Sequence, residues 1–253
     1  MNRIYSLILA FFCVVILASP LGALDSEPLM QEGDLLWVER ADPDKARASI
    51  DAYMKVFAVD PDHYGACWKI ARSYFYLGDR LPETKELKDS HKELGEQGMS
   101  YAKRALQVNP EGIEGHYYYA LSLAQYSIGI SIVKALMKGL GPDYESHLEK
   151  ALAINSDYDY AGPLRAMGRY WYRLPWPKRD LKKSIYYLEQ SVEAAPLSIR
   201  GYVYLAESYI KNGEKERAKT ALQEALKVES KPGVEVDARR WEGRAEELLN
   251  EHF

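Results

Sequence analysis

One punctuation mark recurs five times along the chain and limits what it can fold into. Val56-Phe57-Ala58-Val59-Asp60-Pro61, Ala105-Leu106-Gln107-Val108-Asn109-Pro110, Ala151-Leu152-Ala153-Ile154-Asn155-Ser156, Ser191-Val192-Glu193-Ala194-Ala195-Pro196 and Ala225-Leu226-Lys227-Val228-Glu229-Ser230 each read as a helix end followed by a stop. Proline cannot continue a helix, and Asn or Asp before it favours a turn. The stops lie 49, 46, 40 and 34 residues apart, from 61 to 110, 110 to 156, 156 to 196 and 196 to 230. Such spacing predicts helical units that stack, with a capping element where the stack ends.

The shortest unit, 199–230, shows what stacking alone requires. Tyr202, Leu205, Ala206, Tyr209 and Ile210 fall at i, i+3, i+4, i+7 and i+8, one face of a 3.6-residue helix. Asn212-Gly213 breaks the chain, because glycine accepts the left-handed conformation that ends a helix. A second amphipathic helix follows through Ala218, Ala221, Leu222, Ala225 and Leu226, whose small residues allow close approach. Leu205, Ala206, Tyr209, Ala218, Leu222 and Ala225 occupy positions that resemble the 34-residue tetratricopeptide repeat, with Tyr202 in place of the commoner Trp and Ser230 in place of the commoner Pro. Ile70-Ala71, Tyr74 and Gly78 repeat the first-helix pattern, as do Tyr119-Ala120 and, shifted, Met167-Gly168. Before them, 29–38 and 45–59 form a first pair split by Asp42-Pro43-Asp44, and beyond Pro232-Gly233 a charged amphipathic helix over 236–249 would cap the stack. The predicted fold is an all-α, tetratricopeptide-like solenoid over 24–253, with about five helix pairs and a C-terminal cap helix.

The longer units carry inserts of different character. The charged run ETKELKDSHKELGEQ, between Gly78 and Tyr101, is expected to lengthen the second helix of its unit into solvent. The insert over 126–142, YSIGISIVKALMKGLGP, is too apolar for a free loop and is expected on the concave face, on another subunit or around an apolar ligand. The second of these options predicts a homo-oligomer.

The N-terminus carries Arg3 and then an uncharged, apolar run over 4–23, broken by Pro20 and Gly22. This is the outline of a secretory signal over 1–23, with a small residue, Ala23, at the cut; an uncleaved anchor is the rival reading. The expected location is therefore outside the cytoplasm, in a periplasm. Cys13 would leave with the leader, and Cys67, between Ala66 and Trp68, reads as a small core residue. The formal net charge is −4, which disfavours nucleic acid as a partner.

The segment YAGPLRAMGRYWYRLPWPKRDLKK, over 160–183, is the most distinctive. Pro163 suits a first helical turn, Arg165 and Arg169 share a face with Tyr172 next along it, and Asp180 can cap the following helix. The Gly-Pro-x-Arg-Ala-x-Gly stretch 162–168, with Leu174-Pro175 and the apolar insert upstream, resembles the T component found with TRAP-type solute transporters. That resemblance implies an exported protein paired with a periplasmic solute-binding subunit. Regulator-of-microtubule-dynamics proteins are also similar, over 68–196, including the aromatic-Leu-Pro-Trp run. The T-component family is often lipid-anchored, and this leader lacks the lipidation cysteine.

In a stack the first helix of each unit lines the concave surface. That places Trp68, Arg72, Phe75 and Tyr76, then Tyr117 and Leu121, then Arg165, Arg169 and Tyr172 on it. Aromatics supply rigid contact area and guanidinium groups grip carboxylates, so the expected ligand is an organic anion or an acidic peptide. The alternative is that the arginines neutralise neighbouring acids and the tyrosines fill the core.

Nothing in the sequence organises catalysis. His63, His91, His116, His147 and His252 form no i, i+3 or i+4 pair, and one remaining cysteine gives no zinc-type spacing. Gly139-Leu140-Gly141 lacks the third glycine and the lysine of a phosphate loop. The chain is thus expected to be a binding protein without cofactor: a T-component-like accessory protein, or a general envelope scaffold for a peptide or assembly partner.

Overall fold

The computed structural model describes residues 25–229 and 238–253. Those residues form twelve helices, without a strand among them. Five pairs follow in order: α1 (Ser26–Val38) with α2 (Pro43–Val56), α3 (Tyr64–Asp79) with α4 (Lys88–Val108), α5 (Ile113–Ile130) with α7 (Leu140–Ile154), α8 (Tyr158–Arg173) with α9 (Leu181–Ala194), and α10 (Ile199–Asn212) with α11 (Lys215–Lys227). The six-residue α6 (Ile132–Met137) interrupts the third pair, and α12 (Ala238–His252) covers the end of the stack. The residues of the expected leader, 1–23, and the Pro232-Gly233 break lie outside the described residues. No described helix is long and apolar enough to cross a membrane.

Local chemistry explains the boundaries. Asp42 caps α2, its carboxylate accepting from Asp44 N at 2.9 Å, and Pro43 needs no partner for its missing N–H. Ser198 and Asp180 cap α10 and α9 through Gly201 N and Lys183 N. Gly213, at φ 85°, ends α10 in the left-handed region, and Gly213 N and Glu214 N return to the carbonyls of Ile210 and Tyr209.

Two buried serine pairs mark the repeat in a way its apolar pattern did not. Ser49 and Ser73 meet across α2 and α3 at 3.2 Å, and Ser184 and Ser208 across α9 and α10 at 2.9 Å, both at a separation of 24 residues. Three of the four hydroxyls also bond within their own helix, Ser49 to Ala46 O, Ser73 to Lys69 O and Ser208 to Tyr204 O. Small, self-satisfied side chains let neighbouring units approach without an orphaned polar group.

The charged insert lengthens α4 to 21 residues, as expected, and most of its charges face water. Its inner face is bare. A Cβ on Gly95 would lie 2.7 Å from Tyr126 Cα and 2.8 Å from Ser122 O, so the α4 and α5 backbones nearly touch. Trp241, Ala245 and Leu248 of α12 are buried in one cluster with Leu205, Tyr209 and Leu222, which closes the C-terminal core as a cap should.

The coil also bends far enough to meet itself. Asp79, the last residue of α3, forms ion pairs with Arg200 of α10 and Arg240 of α12, 121 and 161 residues away. Glu83, in the connection before α4, is held by both terminal nitrogens of Arg173, at 2.8 and 2.6 Å. These contacts clasp the second helix pair to the fourth, the fifth and the cap.

Candidate functional site

The clasped concave face encloses a cavity of about 340 Å³. Of the residues expected to line a concave site, Phe75, Tyr117, Leu121, Arg165 and Arg169 do so; Trp68, Arg72, Tyr76 and Tyr172 lie outside its wall. Trp68 stacks on Tyr118 at 6.0 Å, and the Arg72 guanidinium lies 3.9 Å from the Trp37 ring and 5.0 Å from that of Trp68. Together they tie α1 to α3 and α5. Tyr76 packs edge-on to Trp37, in the same N-terminal core. Tyr172 carries Arg169 on its ring at 4.7 Å.

The apolar insert supplies one wall. Ile128, Ile132, Ala135, Leu136 and Leu140 face the cavity, with Tyr144 behind them, while Val133 and Met137 on the outer side of α6 are 55% and 83% exposed. Ser131 at φ 77° and Gly139 at φ 76° turn the chain sharply at either end of α6. The Ser131 hydroxyl accepts from Lys134 N in return, while nothing stands near Gly139.

The opposite wall is cationic: Arg165, Arg169, Arg173, Arg200 and Arg240. Arg165, 8% exposed, is held by an unusual piece of backbone. Asp159, Tyr160 and Ala161 all have φ between 51° and 55°, a left-handed turn without glycine, before the helix resumes at Gly162 and Pro163. Each such residue costs roughly 1–2 kcal/mol. The turn aims the Tyr160 and Asp159 carbonyls at the guanidinium, 2.7 and 3.4 Å away, with Asp159 Oδ2 at 3.6 Å. Asp159 also accepts from Tyr117 OH at 2.8 Å. Arg169 pairs with Glu207, which Arg244 shares. The neutralisation expected as the alternative is therefore present, each of these arginines having an acid beside it.

Burial alone would raise the Asp79 carboxyl, but the charges of Arg200 and Arg240 outweigh it and hold the group below its ordinary value. Behind Tyr117 a histidine pair joins α5 to α7. His116 Nε2 lies 2.8 Å from Pro110 O, which can only accept, so that nitrogen carries the proton. His116 Nδ1 then accepts from His147 Nδ1 at 2.9 Å, leaving His147 Nε2 bare and 3.7 Å from Asp143. Burial first, then the neighbouring His116, lower His147 to about 4. Burial pushes the Cys67 thiol up to about 11, as suits a core cysteine.

Asp79, Glu83, Arg200, Tyr204, Arg240 and Trp241 also line the cavity, beyond the positions that the sequence pattern singles out. They converge only through the curvature of the coil, and no local spacing announces them.

The family model described as Regulator of microtubule dynamics protein 1-3 matches residues 29–252. No curated protein matches the chain significantly. Among solved structures, a thermophilic TPR protein of Thermus thermophilus is 18% identical with a TM-score of 0.64, covering 89% of this chain and 100% of that one. PilW, a widely conserved type IV pilus biogenesis factor, is 15% identical with a TM-score of 0.58, covering 89% and 91%. The MamA segment 41-end from Desulfovibrio magneticus RS-1 is 11% identical with a TM-score of 0.51, covering 81% and 96%. These likenesses establish the tetratricopeptide-like fold.

Proposed function

The chain belongs to the regulator of microtubule dynamics protein 1-3 family, and on that premise we propose that it is a non-catalytic scaffold that docks a protein partner on the rim of its clasped concave face. One observation carries this reading. Two of the places where the chain departs from the bare repeat put large apolar side chains into water: Met137 on α6, 83% exposed, and Trp176 in the connection after α8, 86% exposed. Trp and Met rank among the residues enriched at protein interfaces, and Trp dominates binding hot spots. The basic residues Lys134, Lys138, Lys178 and Arg179 flank them in sequence, which favours a partner with acidic character around an apolar spot.

The location remains the one the leader suggests, an exported protein in a periplasm. The narrower reading, docking of a solute-binding subunit of a TRAP system, draws its support from the 162–168 stretch. Capture from an envelope extract tests all of this. Tagged wild-type protein is expected to retain a partner that Met137→Asp and Trp176→Asp each weaken at least tenfold, with helical content unchanged. Retention by both variants sinks the rim as the docking surface. Mass spectrometry of the partner decides between a solute-binding protein and an assembly partner, and N-terminal sequencing of the mature chain decides cleavage.

A further inference from the structure

The cavity holds more positive charge than its acids balance. Five guanidinium groups line it, with Asp79 and Glu83. Asp159 beside Arg165 and Glu207 beside Arg169 bring the acids to four, one short of the cations. Arg244 reaches Glu207 too, but brings Glu247 as its own counter-charge. Of the two arginines that share Asp79, Arg200 is the one withdrawn from water, its side chain 16% exposed against 40% for Arg240, and a buried charge calls for a counter-ion.

The arginines differ in what they have left to give. Arg165 is taken up by the carbonyls of the left-handed turn, Arg173 by both oxygens of Glu83, and Arg240 by the carboxylate and the backbone carbonyl of Asp79. Arg200 gives Asp79 a single nitrogen, and its buried Nε has no partner among the described residues. Its guanidinium is 4.6 Å from the Trp241 ring and 5.8 Å from that of Tyr204, which Arg169 approaches at 4.2 Å. Guanidinium groups oriented by aromatic rings, with N–H donors still free, are suited to a carboxylate.

The other wall is aliphatic, and the volume is small. At about 340 Å³ it falls at the lower end of the range of small-molecule pockets. A dianion would overshoot the surplus charge, and a cation would add to it. We propose that the cavity binds a monocarboxylate with a small apolar body, its carboxylate on Arg200 and Arg169 and its body against Ile128, Ile132 and Leu136. This site does not depend on the protein-docking reading, since the rim residues and the cavity residues are different side chains.

Isothermal titration of the full-length protein with sodium octanoate tests it. One saturable site is expected, with octan-1-ol and succinate each at least tenfold weaker. Arg200→Gln should weaken octanoate at least tenfold and leave octan-1-ol unchanged; Asp79 keeps Arg240 in that variant. Leu136→Trp, on the peripheral α6, should fill the apolar half and abolish octanoate binding with the circular dichroism spectrum intact. Octan-1-ol or succinate binding as tightly as octanoate overturns the proposal. So does unaltered octanoate affinity in either folded variant, or the absence of a saturable site in the wild type. Loss of partner capture in the rim variants with octanoate binding intact would leave this site standing alone.

Discussion

Replacing Asp79 by Asn keeps the shape of the clasp and removes the charge that closes it. The side chains of Asp79 and Arg200 are 19% and 16% exposed, so the pair is largely withdrawn from water, whereas Arg240 is 40% exposed and screened. Breaking a buried pair by neutralising one partner costs about 3–5 kcal/mol, because the other charge stays buried without compensation. Partial exposure places the clasp at the lower end, about 3 kcal/mol, of which screened Arg240 contributes at most about 1. At roughly 2–4 °C per kcal/mol for a chain of this size, Asp79→Asn should lower Tm by about 6–12 °C. Urea unfolding of wild type, Asp79→Asn and Arg240→Gln gives the energies, and small-angle scattering reads the opening of the coil. The pH dependence has a definite sign. The folded carboxyl is held below its ordinary value, so the clasp stabilises fully above pH ~4 and is lost as acid protonates it. An Asp79→Asn midpoint within ~0.5 kcal/mol of wild type, with unchanged dimensions, would refute the reasoning.

The histidine pair acts at milder acidity. His147 is lowered to about 4 in the folded chain, so the unfolded chain binds the proton first; stability should fall as pH drops from about 6.5 toward 4. Discounted for a partly exposed ring, the loss is about 1 kcal/mol, and His147→Asn should flatten that part of a pH series of urea midpoints. Gly95→Val should cost about 3 kcal/mol, since its Cβ would meet the Tyr126 backbone, which cannot rotate away as a side chain could; thermal melts check it, and a wild-type Tm would mean that α4 and α5 do not cross this closely.

The fold was legible because its signals are local. Proline stops, the Asp42, Asp180 and Ser198 caps and the Gly213 break each act within a turn of helix, so spacing alone recovered five pairs and a cap. Arg165, Arg169, Tyr117, Leu121 and Phe75 were legible for the same reason, as inward positions on first helices. The left-handed turn at Asp159, Tyr160 and Ala161 was not, because of the residues that visit such backbone, Gly, Asn and Asp, only Asp159 stands there, and Tyr160 and Ala161 give no sign of it. Nor was the clasp, whose members are matched only by the accumulated curvature of several units.

That clasp changes what kind of object the repeat array is. An ordinary open stack can gain or lose a unit with local consequences, since each unit touches only its neighbours. Here Asp79 must arrive opposite Arg200 and Arg240 after a fixed number of turns, so one unit more or fewer between them would put the acid and its arginines out of reach. The copy number of the repeat is thereby set by an ion pair, and the chain should tolerate lengthening within its loops far better than duplication of any unit between the second and the fifth.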